Sequence, residues 1–302
     1  MNGGIDRILL GDNPFIGVDH LSQERSRSKG LGFDTRRIAK VIDTALASGA
    51  DGLLCSAHPI MRSTLSQMRE RNYFEKFEVH IIVPDAQGYV RMASEKGVIG
   101  FLTDTLGGLS WRKKANVIIE GGLSAITFNP AKAIQTYLYT EHSSFSKLLP
   151  KNAKLESILL HELMTELIVS FGMKELARNY IDFVEHTLGA TPGFVTRNFA
   201  RFVDFALEAE LPLRDVTILT PFNAAGFQMN PSRAACENAL RRIQSADVIA
   251  MSLLAGGYLS LEAAHAYIGE LARPVSCVVG ASTEEHAKQT FSAIKSWTAE
   301  RN

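Results

Sequence analysis

The chain has 302 residues, 46% of them apolar, enough to build a sizeable core, and its 32 basic and 32 acidic residues cancel to zero net charge. That balance offers no long-range attraction to nucleic acid or to an anionic membrane surface. No apolar run reaches the roughly 18 to 20 residues of a membrane span.

Read in chain order, Met1-Asn-Gly-Gly-Ile-Asp-Arg7 lacks the basic-then-apolar order of a signal peptide. Short apolar runs then alternate with amphipathic segments almost to the end, the α/β signature. The runs that read as strands are Arg7–Gly11, Asp51–Ser56, Glu78–Val83, Ser124–Phe128, Glu156–Glu162, Pro192–Asn198, Val216–Pro221, Asp247–Leu254 and Ser276–Gly280. Those that read as helices are Asp34–Ser48, Ser63–Arg71, Met173–Leu188, Phe199–Glu210, Ser232–Gln244, Leu261–Leu271 and Glu284–Trp297. Asp34 and Ser232 have side-chain oxygens suited to N-caps. No Ser/Gly-rich linker divides the chain, so one domain over residues 1–302 is expected, a single (β/α)8 barrel.

Nine strands are one too many for that barrel. Residues 86–155 are poorly periodic and are expected to hold an irregular insertion or lid, with extra helices around Gln135–Lys147. Ser124–Phe128 is either an added strand or barrel strand 4, with the first run a bottom plug. The cluster Arg112-Lys-Lys114 reads as a solvated helix face. Cys55, Cys236 and Cys277 are far apart and lack CxxC spacing, so neither a disulfide framework nor a structural zinc site is expected. A reduced, cytoplasmic protein follows as the expectation.

Side chains at the C-terminal ends of barrel strands face the active site. Those ends supply Asp12 and Asn13, Ser56 and His58, Asp85 and Gln87, His161 and Glu162, Arg197 and Asn198, Asn223, and Ser252. His161, ending an apolar run, suits a general base, a metal ligand or a hydrogen-bond donor to a carbonyl. Ligation with Glu162, Asp12 or His58 is conceivable, but the spacing is not HExxH, so no metal motif is present. The alternative is a histidine packed at the mouth, with Glu162 and Glu166 in a first helical turn where the dipole favours anions. Asp12 is either an Asx turn before Pro14 or a carboxylate base facing His161. Cys55 reads as a buried strand residue. Arg197 suits a carboxylate or phosphate, while Asn198 and Asn223 suit an amide or sugar edge. Residues 224–233 form a loop long enough to cover a substrate.

Two Gly-bearing turns follow the last strands, one containing Ser252, Ala255, Gly256 and Gly257 and the other Gly280, Ala281, Ser282 and Thr283. In such barrels this region commonly binds phosphate, because glycine allows close approach and a helix start offers unpaired N–H groups. A small phosphorylated or nucleotide-containing partner is therefore expected, with no nucleic acid and no membrane.

Seven segments resemble the aldo/keto reductase superfamily in order and spacing. They are Leu9-Leu-Gly-Asp-Asn-Pro-Phe-Ile-Gly17, Ala45-Leu-Ala-Ser-Gly-Ala-Asp-Gly-Leu-Leu-Cys-Ser56, Ser157-Ile-Leu-Leu-His161, Gly193-Phe-Val-Thr-Arg-Asn-Phe199, Ile218-Leu-Thr-Pro-Phe-Asn223, Ser252-Leu-Leu-Ala-Gly-Gly257 and Gly280-Ala-Ser282. The resemblance skips roughly residues 60–155. It implies a (β/α)8 barrel, NADP or NAD held by the last two loops, and Asn198 near the nicotinamide.

Of the family's Asp, Tyr, Lys and His tetrad only His161 carries over. Leu54-Cys-Ser-Ala-His-Pro59 stands where Asp and Tyr belong, and Ile82-Val-Pro-Asp-Ala86 where Lys belongs. The "EN" pair that holds the adenine end aligns with Gln289-Thr290. Three functions stay open. One is a divergent NAD(P)-linked oxidoreductase, with His58 or Asp85 as substitute acid/base. The second is a cofactor-independent or metal-assisted lyase, isomerase or hydrolase using Asp12 and His161. The third is a non-catalytic ligand-binding barrel.

Overall fold

The computed structural model describes residues 4–17, 34–71, 77–85, 130–243 and 245–299. Within them eight parallel strands close into a barrel in sequence order: β1 Gly4–Gly11, β2 Gly52–Ser56, β3 Phe77–Val83, β4 Ala153–Leu160, β5 Thr191–Val195, β6 Thr217–Pro221, β7 Asp247–Met251 and β8 Pro274–Gly280. Closure is a direct β1–β8 pairing from Gly4↔Pro274 to Gly11↔Gly280. The described helices are α1 Thr35–Ala47, α2 Pro59–Met68, α3 Pro130–Ser146, α4 Glu162–Ser170, α5 Lys174–Asp182, α6 Phe199–Glu208, α7 Arg233–Arg242, α8 Leu261–Glu270 and α9 Glu284–Ala299. Among the described residues no helix is long and apolar enough to cross a membrane.

The period-two alternation of the strands divides the core in two. Leu9, Leu54, Leu159, Val195, Leu219 and Ile249 form a separate buried cluster, joined by Ile82, Met251 and Val278, that fills the barrel. Their sequence neighbours, such as Ile8, Leu53, Ile158 and Val248, belong to the larger cluster shared with the helices. Asp34 Oδ1 accepts from Arg37 N at 2.7 Å and Ser232 Oγ from Ala235 N at 3.2 Å, so both act as the N-caps their side chains suggest.

Several boundaries move. β4 stops at Leu160, because His161 already caps α4. β5 stops at Val195, leaving Arg197 and Asn198 in the turn before α6. α2 begins four residues earlier than its periodicity suggests, with Pro59 in its first turn, where a missing N–H costs nothing, and His58 as cap. α5 continues into a π-helical turn, Phe183–Leu188, that ends on left-handed Gly189.

The first run and strand 4 are assigned. Gly4–Gly11 is a full barrel strand rather than a plug, and strand 4 is Ala153–Leu160. Of the stretch read as an irregular insertion, residues 130–146 form α3 and 153–155 begin β4. Gln87, Arg112-Lys-Lys114 and Ser124–Phe128 lie outside the described residues.

Candidate functional site

Asp12 follows directly on β1 and is buried, 3% exposed. Its Oδ2 accepts from both the backbone N and the Oγ of Ser56, each at 2.8 Å, so the carboxylate ties the end of β1 to the end of β2. Phe15 N and Ile16 N donate to the Asp12 carbonyl at 2.8 and 3.3 Å, closing the turn that carries exposed Asn13. Burial pushes the Asp12 carboxyl up to about 6; the Ser56 hydrogen bonds work against that rise and the charge of Asp85 adds to it. Cys55, one residue before Ser56, is buried with its thiol pushed well up by burial, the state of an unreactive cysteine.

His161 starts α4 at the end of β4, with its backbone N on Val83 O at 2.7 Å. Its Nδ1 accepts from Leu163 N at 3.2 Å, so in the neutral ring the proton sits on Nε2. Burial lowers the His161 pKa; Arg197 lowers it further, while Glu162 and Asp85 oppose. His58 caps α2 in the same manner, its Nδ1 accepting from Ile60 N at 3.2 Å. Asp85, half-buried just after β3, acts on Asp12, His161 and Glu141 alike and is the charge these three share.

On the β5 side the polar groups pair off. Arg197 Nε donates to Glu162 Oε2 at 2.7 Å. Glu166 Oε1 accepts from Thr196 Oγ1 at 2.7 Å and from Arg197 N at 3.3 Å. Asn198 Oδ1 caps α6 through Arg201 N at 3.4 Å. Asn223 is fully buried and turned onto its own loop: Nδ2 donates to Phe227 O at 2.9 Å, and Oδ1 accepts from Phe227 N at 2.8 Å. With Asn230 N on Arg197 O at 3.0 Å and Arg233 Nη1 on Ala224 O at 2.8 Å, the long loop after β6 is fastened at both ends.

After β7 the backbone coils tightly, with left-handed φ at Ser252, Ala255, Gly256 and Gly257. Ala255 N and Gly257 N bond inside this coil, to Ser252 O and Leu254 O. Ser260 Oγ caps α8 through Ala263 N, and Thr283 Oγ1 caps α9 through His286 N, at 3.2 and 3.1 Å. A Cβ on Gly280 would lie 2.8 Å from Pro14 Cγ, so this glycine is needed where the turn after β1 packs against the end of β8. Glu284 and Glu285 occupy the first turn of α9. Gln289 reaches back to Glu285 Oε1 at 3.3 Å, and Thr290 is buried.

Among the described residues no group of three or more His, Cys, Asp or Glu is placed to hold a metal ion. Two residues that sequence reasoning missed stand at the rim. Arg62 of α2 pairs with Glu141 of α3, and burial raises the Glu141 carboxyl against the opposing effect of Arg62. They are 79 positions apart, so no local pattern joins them.

No protein-family model and no curated protein matches the chain. Solved structures do. A "putative aldo-keto reductase" from Pseudomonas aeruginosa aligns over 97% of this chain and 92% of its own, with TM-score 0.57 and 13% identity. A second structure of that description aligns over 99% and 94%, with TM-score 0.58 and 12% identity. At such identity the likeness concerns the fold, and the chain is a (β/α)8 barrel of aldo/keto-reductase-like architecture.

Proposed function

We propose that the chain is an enzyme acting on a small molecule at the C-terminal mouth of the barrel. Asp12 carries the proton, and the Nε2–H of neutral His161 orients the substrate oxygen. The observation that carries this reading is Asp12: a fully buried carboxyl raised to about 6, poised to gain or lose a proton near neutral pH. Asp85 works as the charge that couples it to His161.

The reaction that the fold likeness favours is an NAD(P)-linked oxidation or reduction. The turn backbones suit a dinucleotide diphosphate, since Thr283 caps a single N–H and the other first-turn N–H groups of α9 have no intrahelical acceptor. Gly280, Ala281, Ser282 and Thr283 would hold it, with Ser252 and Gly256 beside them, since Ala255 N and Gly257 N are already bonded within their coil, and with Asn198 on the nicotinamide side. The bound nucleotide would supply or accept the hydride. The chain's own part is proton exchange at Asp12 Oδ, alignment by His161, and closure of the loop after β6 by Asn223.

A second reading, a cofactor-independent lyase, isomerase or hydrolase on a small phosphorylated substrate, is favoured by a specific observation. Neither tyrosine nor lysine stands at the ends of β2 and β3, where Ser56, His58 and Asp85 are found.

Thermal unfolding with NADPH, NADH and simple phosphosugars, each added alone, separates the two. A ligand at about 100 times its Kd stabilises by about 2.7 kcal/mol, a rise of several degrees. A rise with a nicotinamide nucleotide is expected for the first reading. A rise with phosphosugars alone would transfer the assignment to the second, and no rise with any of them would remove the phosphate-bearing ligand.

A further inference from the structure

Arg62 makes more contacts than a surface ion pair needs. Its Nε donates to Ala57 O at 3.0 Å, its Nη1 to Ser144 Oγ at 3.0 Å, and its Nη2 pairs with Glu141. The guanidinium carbon lies 5.5 Å from the centre of the Phe145 ring. Three of these four contacts are to α3, the helix between β3 and β4; the fourth is to the turn after β2. That turn is short. Ala57 directly follows Ser56, and Ala57 N is itself held by Ile82 O at 3.3 Å. Ser56 in turn makes both hydrogen bonds to Asp12 Oδ2.

We propose that Arg62 is a positioning residue: anchored on Glu141 and Ser144 of α3, it fixes the Ser56–Ala57 turn so that Ser56 can hold Asp12. The proposal rests on the reading of Asp12 as the proton-carrying group. Planarity is what makes arginine suited to the task, because a rigid fork can bond a carbonyl on one edge and a carboxylate on the other. α3 thereby becomes part of the site without touching substrate. The ionisable group acting on Asp12 is Asp85, after β3; Arg62 acts on the neighbouring Cys55 and pairs with Glu141, one step further out.

The test follows the titration of the Asp12 carboxyl carbon by NMR in the full-length protein, assigned through its loss in Asp12→Asn. The wild-type step is expected near pH 6. Ser56→Ala should raise it by about one pH unit, because a hydrogen bond to the charged form is lost. Arg62→Met should move it in the same direction, and Arg62→Lys, which keeps charge but not the fork, should restore it only in part. An unmoved step in Arg62→Met, with Ser56→Ala displaced, would overturn the proposal. If Arg62→Met does not fold, the pair Glu141→Gln and Ser144→Ala decides: an upward step supports the anchor, an unmoved one refutes it. Because the readout is Asp12's own titration, a failure to find turnover would count against the assigned reaction alone.

Discussion

One carboxylate at each end of this barrel is held in the opposite way from the other. At the N-terminal end Arg7 of β1 reaches Glu78 of β3 at 2.9 Å, Ser276 of β8 at 3.2 Å and Asp247 of β7. His80, fully buried, lies 2.7 Å from Ser157 Oγ through Nδ1 and 3.4 Å from Glu78 Oε2 through Nε2. Glu78 and Asp247 share Arg7 as their cationic partner, and His80 and Arg7 hold Glu78 below its usual range. At the C-terminal mouth Asp12 is bonded to a serine rather than to a cation, and its carboxyl rises to about 6. A lowered carboxyl pKa accompanies an ion pair that stabilises the fold. Asp12, with no cation beside it, is raised by burial.

The largest expected effect tests the mouth. Asp12→Asn should reduce turnover by about 10²- to 10⁴-fold and remove any step near pH 6 from kcat/KM. The fold should tolerate the change, since the amide oxygen can still accept from Ser56. Unchanged turnover would remove Asp12 from the mechanism.

The second effect is of stability, and the two ends differ in sign. Asp12 has a folded pKa above its unfolded 3.8, so its contribution is present below that value and lost as pH rises through about 6. Asp12→Asn should therefore stabilise above pH 6 by something on the order of 2 to 3 kcal/mol. Glu78 has a folded pKa below its usual 4.5, so its contribution is present above that value and lost as pH falls below it. Denaturant unfolding of Asp12→Asn and Glu78→Gln across pH 3 to 8 should show these opposite slopes; parallel slopes would erase the contrast.

Arg7→Met should leave Glu78 and Asp247 without their shared cation. These groups are about one quarter to one third exposed, so the loss is placed at about 2 to 3 kcal/mol, below that of a fully buried pair. A Tm lower by several degrees is expected, with the Asp12 titration unmoved. A shift in that titration would show the ends to be coupled.

Smaller still, Gly280→Ala should cost about 1 to 3 kcal/mol by pushing Pro14 away from β8. Because Pro14 lies two residues after Asp12, this substitution should also disturb turnover. Ser232→Ala, which removes only the cap of α7, should cost about 1 kcal/mol and leave turnover alone.

The sequence carried the strand and helix pattern because apolar alternation and capping are local. Leu9 and Ile8 belong to opposite faces by period alone, and Asp34 is a cap by its own side chain. Asp12 and His161 were legible as residues at strand ends. What each does there was not. Asp12's proton affinity depends on burial beneath β2 and on Ser56, 44 positions away. His161's tautomer depends on α4 starting one residue later, which decides that Nδ1 is an acceptor.

Other features belong to the tertiary structure entirely. Gly280 reads as a phosphate-loop glycine in the sequence, and in the fold its missing side chain also makes room for Pro14. Asn223, read as a substrate contact, has both its amide atoms bonded to Phe227. Arg62 and Glu141 meet only because the side-by-side pairing of β2, β3 and β4 sets α2 beside α3. Sequence alone determined which segments are strands and helices and which side chains their ends offer, since those are set within a few residues. The tertiary structure decided which of those side chains are paired, buried or shifted in charge, because burial and Coulomb energy depend on neighbours tens to hundreds of positions away.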